Sequence, residues 1–124
     1  MSASASWLAP IADESFMYLT TTGRVSGTPH RIEIWFGVDQ NRILLMAGGR
    51  DKSDWVKNLI ADPHVTVEVG NQTRSGMAYV VSPDSEDDAR ARELLVSKYG
   101  KDRDLDDWRA RSLPVVITFP GNDV

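Results

Sequence analysis

The sequence contains no cysteine, which excludes disulfide bridges, thiolate metal sites and a thiol nucleophile. It also lacks an apolar run of the roughly 20 residues that a membrane-spanning helix needs, so we expect no membrane span. The opening MSASASWLAP has neither a basic start nor an apolar centre, which is not the pattern of a secretory signal. Together these absences predict a cytoplasmic protein.

Basic residues are outnumbered by acidic ones, 14 to 18, and there are only two histidines. The net charge of −4 argues against nonspecific binding to nucleic acid. The two histidines, His30 and His64, do not have the spacing of metal ligands, so we predict no metal site. The acidic segments 84–88 and 102–107 are expected to be solvated surface. The length of 124 residues suits one domain, placed at 15–120 between an N-terminal arm, 1–14, and a tail, 121–124.

Aromatic and β-branched residues, often alternating with polar ones, predict strands at 16–22, 31–38, 42–47, 64–70, 73–82 and 114–119. Apolar residues at helical spacing predict a helix ending at 61, capped by Asp51 or Ser53, and a second at 85–99, with a short helical turn at 106–111. The Asn71-Gln72 pair is the predicted turn of one hairpin.

The strands follow one another at hairpin spacing, and a repeating βαβ pattern is absent. Because six short strands would leave exposed edges, we expect the sheet to close on itself. The predicted fold is therefore mainly β: a six-stranded antiparallel split β-barrel with two to three flanking helices.

The loop between the first two strands has an unusual composition, TTTGRVSGTPH at 20–30. Two glycines permit a tight turn and close approach of a ligand to the backbone. The hydroxyls of Thr22 and Ser26 and the guanidinium of Arg24 can all donate to an anion. This pattern is consistent with an anion-binding loop and equally with an ordinary polar turn whose arginine is solvated.

A second cluster, MAGGRDKS at 46–53, joins a predicted strand to a predicted helix N-terminus. The free amides of a helix N-terminus favour negative charge, and Arg50 and Lys52 add positive charge. The glycine pair would let a planar ring lie flat against the backbone. An ordinary strand-to-helix connection accounts for the same residues.

Taken together, and in this order, LTTTGRVSGTPHRIEIWF and AGGRDKSDWVKNLIADPHVTVEVG resemble the deazaflavin-dependent nitroreductase family. This family lies within the flavin-reductase-like split β-barrel superfamily. The resemblance covers about 18–70 closely and the rest through the order of elements. It implies that the protein is an oxidoreductase binding reduced coenzyme F-420, an 8-hydroxy-5-deazaflavin, and passing hydride to a small planar electrophile such as a quinone or nitro compound.

The resemblance also implies roles for single residues. Arg24, Ser26 and Gly27 would hold the cofactor phosphate or its acidic tail, and Pro29 and His30 would form the rim. Trp55, Asn58 and Pro63 would be scaffold positions. No catalytic residue is expected, because the cofactor carries the hydride chemistry. The complete expected cofactor site is Thr22, Arg24, Ser26, Gly27, Pro29, His30, Met46, Ala47, Gly48, Gly49, Arg50 and Lys52.

Val25 departs from the family pattern, since many relatives have a basic residue at that position. A missing charge-assisted hydrogen bond is worth roughly 1.5–3 kcal/mol of binding. Two alternatives therefore stay open: an FMN-dependent reductase similar to pyridoxamine oxidases, and a carrier that binds a flavin or deazaflavin without catalysis.

The aromatic residues outside the motifs have several possible positions. Trp35 falls on the opposite face of its strand from Ile32, Ile34 and Phe36, so it lines either a pocket or a subunit interface. Trp7 lies in a segment that either covers the pocket or stays disordered. The residues that can shape the acceptor site or serve packing are Tyr79, Tyr99 and Trp108. Both a monomer and a homodimer are consistent with the sequence.

Overall fold

The computed structural model describes residues 7–101 and 103–119. The strands are β1 (Met17–Thr22), β2 (Pro29–Ile34), β3 (Gly37–Asp39), β4 (Arg42–Ala47), β5 (His64–Val69), β6 (Gln72–Val80) and β7 (Leu113–Thr118). The helices are α1 (Asp54–Ala61), α2 (Glu86–Tyr99) and α3 (Asp106–Arg111), with short 3₁₀ turns at Ala9–Ile11 and Arg50–Lys52. The predicted mainly β architecture is confirmed.

All strand pairs are antiparallel, and the strands form one sheet in the order β2-β1-β5-β6-β7-β4-β3. β2 and β3, which lie at the two opposite edges, are separated by only Trp35 and Phe36 in the chain. The sheet must therefore curl until its edges meet at this bend. Beyond the bend β2 and β4 are not paired with each other, which leaves the barrel split on that side.

The prediction of one strand at 31–38 was wrong, because the bend divides it into β2 and β3 and raises the count from six strands to seven. Side chains of α2 bind the backbone of the bend. The Phe36 N–H donates to the Tyr99 hydroxyl at 3.1 Å, and Lys98 Nζ donates to the Phe36 carbonyl at 3.0 Å. These partners satisfy polar groups that a ladder would otherwise pair, so the strand can break without leaving them unbonded.

Inward-facing apolar side chains of β1, β4, β5 and β7 fill the main core, and Leu44, Met46, Ala91 and Leu95 form a second core beneath α2. Trp7 also belongs to the main core, where its ring meets the edge of Phe119 at 5.0 Å between centroids. Trp7 is therefore a core residue in the described structure. The first six residues of the expected arm and the expected tail lie outside the described part.

The helices follow the sequence pattern with one correction. Ser85 caps α2 by accepting a hydrogen bond from the Asp88 N–H at 3.2 Å, and the helix ends at Tyr99 as predicted, with Gly100 as its C-cap. The apolar spacing of the helix predicts that Ile60 is buried with Val56 and Leu59, but in α1 the buried residues are Val56, Asn58 and Leu59, and Ile60 is 61% exposed.

Other element bounds differ from the predictions by one or two residues. The hairpin between β5 and β6 turns at Gly70 and Asn71 rather than at Asn71 and Gln72. Gly70 has a φ of +58°, which a glycine adopts without strain. Within the part of the chain that is described, no helix is long and apolar enough to cross a bilayer.

Lys98 gives this fold a measurable pH dependence. Its ammonium lies 3.8 Å from the centre of the Phe36 ring, and burial lowers its pKa to about 8, with the carboxylates of Asp13 and Glu14 acting in the opposite direction. Because the folded pKa is below the unfolded value of about 10.4, the unfolded chain binds more protons in between, and stability rises with pH in that window. Burial raises the pKa of Tyr99, which opposes the rise above about pH 10.

We therefore expect the urea midpoint of the wild-type protein to increase between about pH 7.5 and about pH 9.5, and that of Lys98→Met to change less. The comparison is made at one protein concentration. Parallel midpoint curves for the two proteins would show that Lys98 is not the titrating group.

Candidate functional site

The two glycine-containing loops identified in the sequence are both joined to α1. From the first loop, the backbone N–H and Nη1 of Arg24 donate to Asn58 Oδ1 at 3.2 and 2.8 Å. Its Nη2 also contacts Asp54 Oδ1 at 3.3 Å. The second loop runs from β4 through the Arg50–Lys52 turn directly into the helix, whose N-cap is Ser53. One helix therefore holds both loops.

The first loop is a closed turn held by its own polar groups. The Gly23 N–H donates to the Thr28 carbonyl and the Gly27 N–H to the Gly23 carbonyl, both at 2.8 Å. The hydroxyls of Ser26 and Thr28 are 2.7 Å apart. Gly27 has a positive φ of +73°, which favours glycine, and a Cβ on Gly23 would lie 2.6 Å from His30 Nε2, so the imidazole packs directly against that backbone. The loop is therefore shaped before any ligand arrives.

Arg24 has a structural role, since it joins the first loop to α1, and it is also a candidate anion contact. Two of its guanidinium nitrogens already donate to α1, and its side chain is about one-third exposed. A guanidinium has five N–H donors, so capacity for a further acceptor remains. The expected contact between Arg24 and an anion stays a prediction.

The second loop presents a bare strip of backbone. Met46 and Ala47 are buried, while Gly48 and Gly49 are exposed. A Cβ on Gly48 would meet only the indole of Trp108, at 3.5 Å from Cδ1 and 3.6 Å from Nε1. Arg50 has a φ of +56° and donates from Nη1 to the Arg111 carbonyl at 2.7 Å, which fastens the loop to the end of α3.

A depression of about 240 Å³ opens where β2 and β4 diverge, lined by Glu33, Ile34, Trp35, Met46 and Trp108. The Trp35 ring stacks on Tyr99 with centroids 4.3 Å apart, and it meets the Trp108 ring nearly perpendicularly at 5.5 Å. Trp35 and Trp108 therefore line this mouth of the split, and Tyr99 supports Trp35 from behind.

Not all expected site residues face the split. Thr22, Gly27 and Pro29 line a separate groove of about 330 Å³ that they share with β5 and β6. Arg50 lines another cleft, of about 530 Å³, beside Ile60 and Tyr79. By contrast, His30, Ile32 and Ile34 share one face of β2, and Ile34 lines the depression. Lys52 is exposed and has no ion-pair partner among the described residues.

Two residues near the site were missed or undervalued from the sequence. Asn58 was expected only as scaffold, yet it makes the contacts that join the first loop to α1. Ser112 is fully buried, and its hydroxyl has no hydrogen-bond partner in the described structure. It precedes Leu113, which pairs with Ala47, so Ser112 lies beside Gly48 across the ladder. No local sequence pattern marks Ser112, because only the pairing of β4 with β7 brings it there.

A curled antiparallel sheet that stays open along one side is a split β-barrel. Residues 6–120 match the sequence profile of the F420H(2)-dependent quinone reductases. The chain therefore belongs to that family, and the expected class, an oxidoreductase that uses coenzyme F-420, is confirmed.

Individual relatives agree with this assignment. Rv3178 of Mycobacterium tuberculosis, a protein named among the F420H(2)-dependent quinone reductases, is 26% identical over 107 residues, covering 84% of this chain and 88% of its own. The structure of Rv2991 from the same organism matches with a TM-score of 0.72 at 24% identity, covering 96% of this chain and 81% of the other. An F420-H2 dependent reductase, FDR-A, matches with a TM-score of 0.68 at 22% identity, covering 84% and 93%. The two structural matches show the common fold.

Proposed function

We propose that this chain binds reduced coenzyme F-420 between its two glycine-containing loops and reduces a small planar electrophile, a quinone or a nitro compound. One observation carries this proposal: both loops are joined to α1, the first through Asp54 and Asn58 and the second through the N-cap Ser53, and the exposed backbone of Gly48 lies beside the indole of Trp108. A flat ring needs such a bare strip, and an anionic tail needs nearby donors.

The residues present fit this cofactor. The space above Gly48 is limited only by Trp108 at ordinary contact distance, so a ring can approach the backbone there. Arg24 and Lys52 supply positive charge around the same helix end for a phosphate. When bound, the reduced deazaflavin supplies the hydride.

The chain's own residues would position the partners and keep water out. Met46 and Trp108 would form apolar walls beside the ring, and Trp35, held by Tyr99, would offer a fixed surface to the acceptor. Fixing both reactants in one depression converts an encounter in solution into a reaction within a complex. No side chain of the protein is required to form a covalent bond.

Gly48→Ala tests this arrangement with little effect on folding. The added methyl meets only Trp108 at about 3.5 Å, so the melting temperature should stay within about 2 °C of wild type. Because the methyl would stand where the ring approaches, we expect at least about tenfold weaker binding of F-420, measured by quenching of tryptophan fluorescence. Lys57→Ala is the control. Lys57 is an exposed cation of α1 outside the expected site, so this variant should bind F-420 as the wild type does.

The titration also separates the rival cofactors. No saturable quenching by F-420 up to about 100 µM would refute the proposal, and tighter binding of FMN than of F-420 would favour the FMN-dependent reductase. Arg24→Ala is expected to weaken F-420 binding by about tenfold or more, because it removes both the positive charge and the side-chain hydrogen bond that joins the loop to Asn58.

Val25 is the residue behind the second candidate, a carrier in which the chain would bind the cofactor without turnover. Its side chain is 94% exposed on the loop, so the position that many relatives fill with a base is open to solvent but uncharged here. Saturable binding of F-420 without reoxidation by any quinone or nitro compound would support the carrier. Acceptor-dependent reoxidation would exclude it.

A further inference from the structure

The cleft of about 530 Å³ beside Ile60 and Tyr79 has no part in the proposed function. It lies between the C-terminal end of α1, the turn at Arg50–Lys52, the end of β6 and the start of β7. It shares no lining residue with the depression at the split. Arg50 is the one residue of the expected cofactor site that lines it, and that guanidinium donates to the Arg111 carbonyl. The volume is in the range of small-molecule sites.

Exposed apolar side chains gather around this cleft. Five large hydrophobic side chains are exposed among the described residues, and three of them line it: Ile60 at 61%, Tyr79 at 46% and Val80 at 36%. Phe16 and Val25, the other two, lie elsewhere. Single exposed apolar residues are ordinary on a protein surface, whereas several around one concave site are typical of a place where something binds.

The floor of the cleft belongs to the folded core. Leu59 and Ala78 line the cleft, are 2% and 1% exposed, and belong to the main core. The Ala78 N–H donates to the Pro63 carbonyl at 2.9 Å, which joins the segment after α1 to β6. Two walls of the cleft are thus held together by the backbone, and its apolar floor is formed before any ligand arrives.

The charges around the cleft are balanced. Arg50 and Asp51 are the two charged residues that line it, and they have opposite signs. The neighbouring charged side chains, counting the Asp107 carboxylate that pairs with Arg111, are three cations and three carboxylates: Lys52, Lys57 and Arg111, and Asp54, Asp62 and Asp107. A charged ligand therefore gains no net attraction here, and it would lose hydration against the apolar floor.

We propose that this cleft binds a small uncharged ring compound that carries a hydroxyl or carbonyl group, with the ring between Ile60 and Val80 and the polar group toward Tyr79. Contact with the apolar walls and floor removes apolar surface of both partners from water and provides the affinity. The phenol hydroxyl of Tyr79 can donate or accept one hydrogen bond and so orients the ligand.

NMR titration of the ¹⁵N-labelled, cofactor-free protein with 2-naphthol, which is uncharged at neutral pH, tests the proposal. We expect saturable shifts of the amide signals of 59–62 and 78–80, with a dissociation constant below about 1 mM. 2-Naphthoate and 2-naphthylmethylammonium carry the same ring with a negative and a positive charge. Both should bind at least about tenfold more weakly than naphthol, because each must give up the hydration of its charge.

Ile60→Ser should weaken naphthol binding by about tenfold or more, because it removes one apolar wall. The side chain is exposed, so the melting temperature should stay within about 4 °C of wild type. Val25→Ser is the matched control, since it removes another exposed apolar side chain away from the cleft, and it should bind naphthol as the wild type does. Arg24→Ala should also bind naphthol normally, which separates this cleft from the first loop.

The proposal is overturned if the shifts map to 46–49 and 108 instead, if either charged compound binds as tightly as naphthol, or if Ile60→Ser binds like the wild type. A concentration-dependent dimer in analytical ultracentrifugation that Ile60→Ser abolishes and naphthol does not affect would also overturn it, because a second copy of the chain would then cover the cleft. None of these results depends on F-420 or on turnover. A failure of the proposed function therefore leaves the test of this cleft intact.

Discussion

Replacing Asn58 by leucine is expected to lower the free energy of unfolding by about 3 kcal/mol, a large fraction of the stability of a small domain. The side chain is 3% exposed. Its Oδ1 accepts from the N–H and Nη1 of Arg24, and its Nδ2 donates to Thr21 Oγ1 at 3.2 Å. Leucine fills the same space but leaves the Thr21 hydroxyl without its partner in a buried position and the two Arg24 groups without theirs in a half-buried one, and a buried polar group without a partner destabilises the fold.

The same substitution should loosen the first loop and weaken F-420 binding, since Asn58 joins that loop to α1. Chemical unfolding of Asn58→Leu beside Lys57→Leu measures the effect. Lys57 is the preceding, exposed residue of the same helix, so its replacement should change stability by no more than about 0.5 kcal/mol. Equal unfolding midpoints for the two variants would mean that the buried hydrogen bonds contribute nothing net.

Gly76→Ala is expected to lower the free energy of unfolding by about 3 kcal/mol through overpacking. Gly76 lies in β6 and faces the interior, where a Cβ would stand 2.8 Å from the Thr118 carbonyl oxygen. It would also stand 2.9 Å from Ile117 Cγ2 and from Phe119 Cε1. The carbonyl belongs to the neighbouring strand β7 and cannot retreat without disturbing the ladder.

Differential scanning calorimetry of Gly76→Ala and Gly48→Ala makes the comparison. The first should melt on the order of 10 °C or more below wild type and the second close to it. This result would show that packing requires glycine at position 76, whereas at position 48 the fold tolerates a side chain and the space is free for a ligand. A normal melting temperature for Gly76→Ala would show that β6 and β7 can move apart.

The strands could be predicted because alternation of apolar and polar residues is a local signal. Val65, Val67 and Val69 alternate in sequence and are all buried in β5, as expected. The break at Trp35 and Phe36 could not be predicted, since the alternation continues through it from Ile32 to Val38. What causes it is a set of hydrogen bonds from α2, more than 60 residues away in the chain.

The candidate site, too, has features that the sequence could predict and features that it could not. The glycines of both loops are visible in the sequence because tight turns and close contacts restrict the residue type. The double duty of Arg24, and the burial of Asn58 beneath it, depend on how α1 packs against β1. The position of Ser112, one residue before the Leu113–Ala47 pair, likewise depends on the ladder between β4 and β7. Residue types could be predicted, whereas their partners come from the tertiary structure.

The structure, and not the sequence motif, also decides that Thr22, Gly27 and Pro29 lie away from the split. Neighbouring residues of a strand point to opposite faces, so Thr21 turns inward toward Asn58 while Thr22 turns outward. A motif that is contiguous in sequence therefore contributes to two surfaces. For this reason we expect Arg24 and His30, rather than Thr22 and Pro29, to be the residues of the first loop that matter most for cofactor binding.

The central claim is that F-420 lies between the loops at 23–30 and 47–54, and hydrogen–deuterium exchange with and without saturating F-420 tests it most directly. The account predicts slower exchange in the peptides covering those two loops and unchanged exchange in the β5–β6 hairpin, which lies away from the split. Protection confined to other parts of the chain, with none in either loop at saturation, would contradict it.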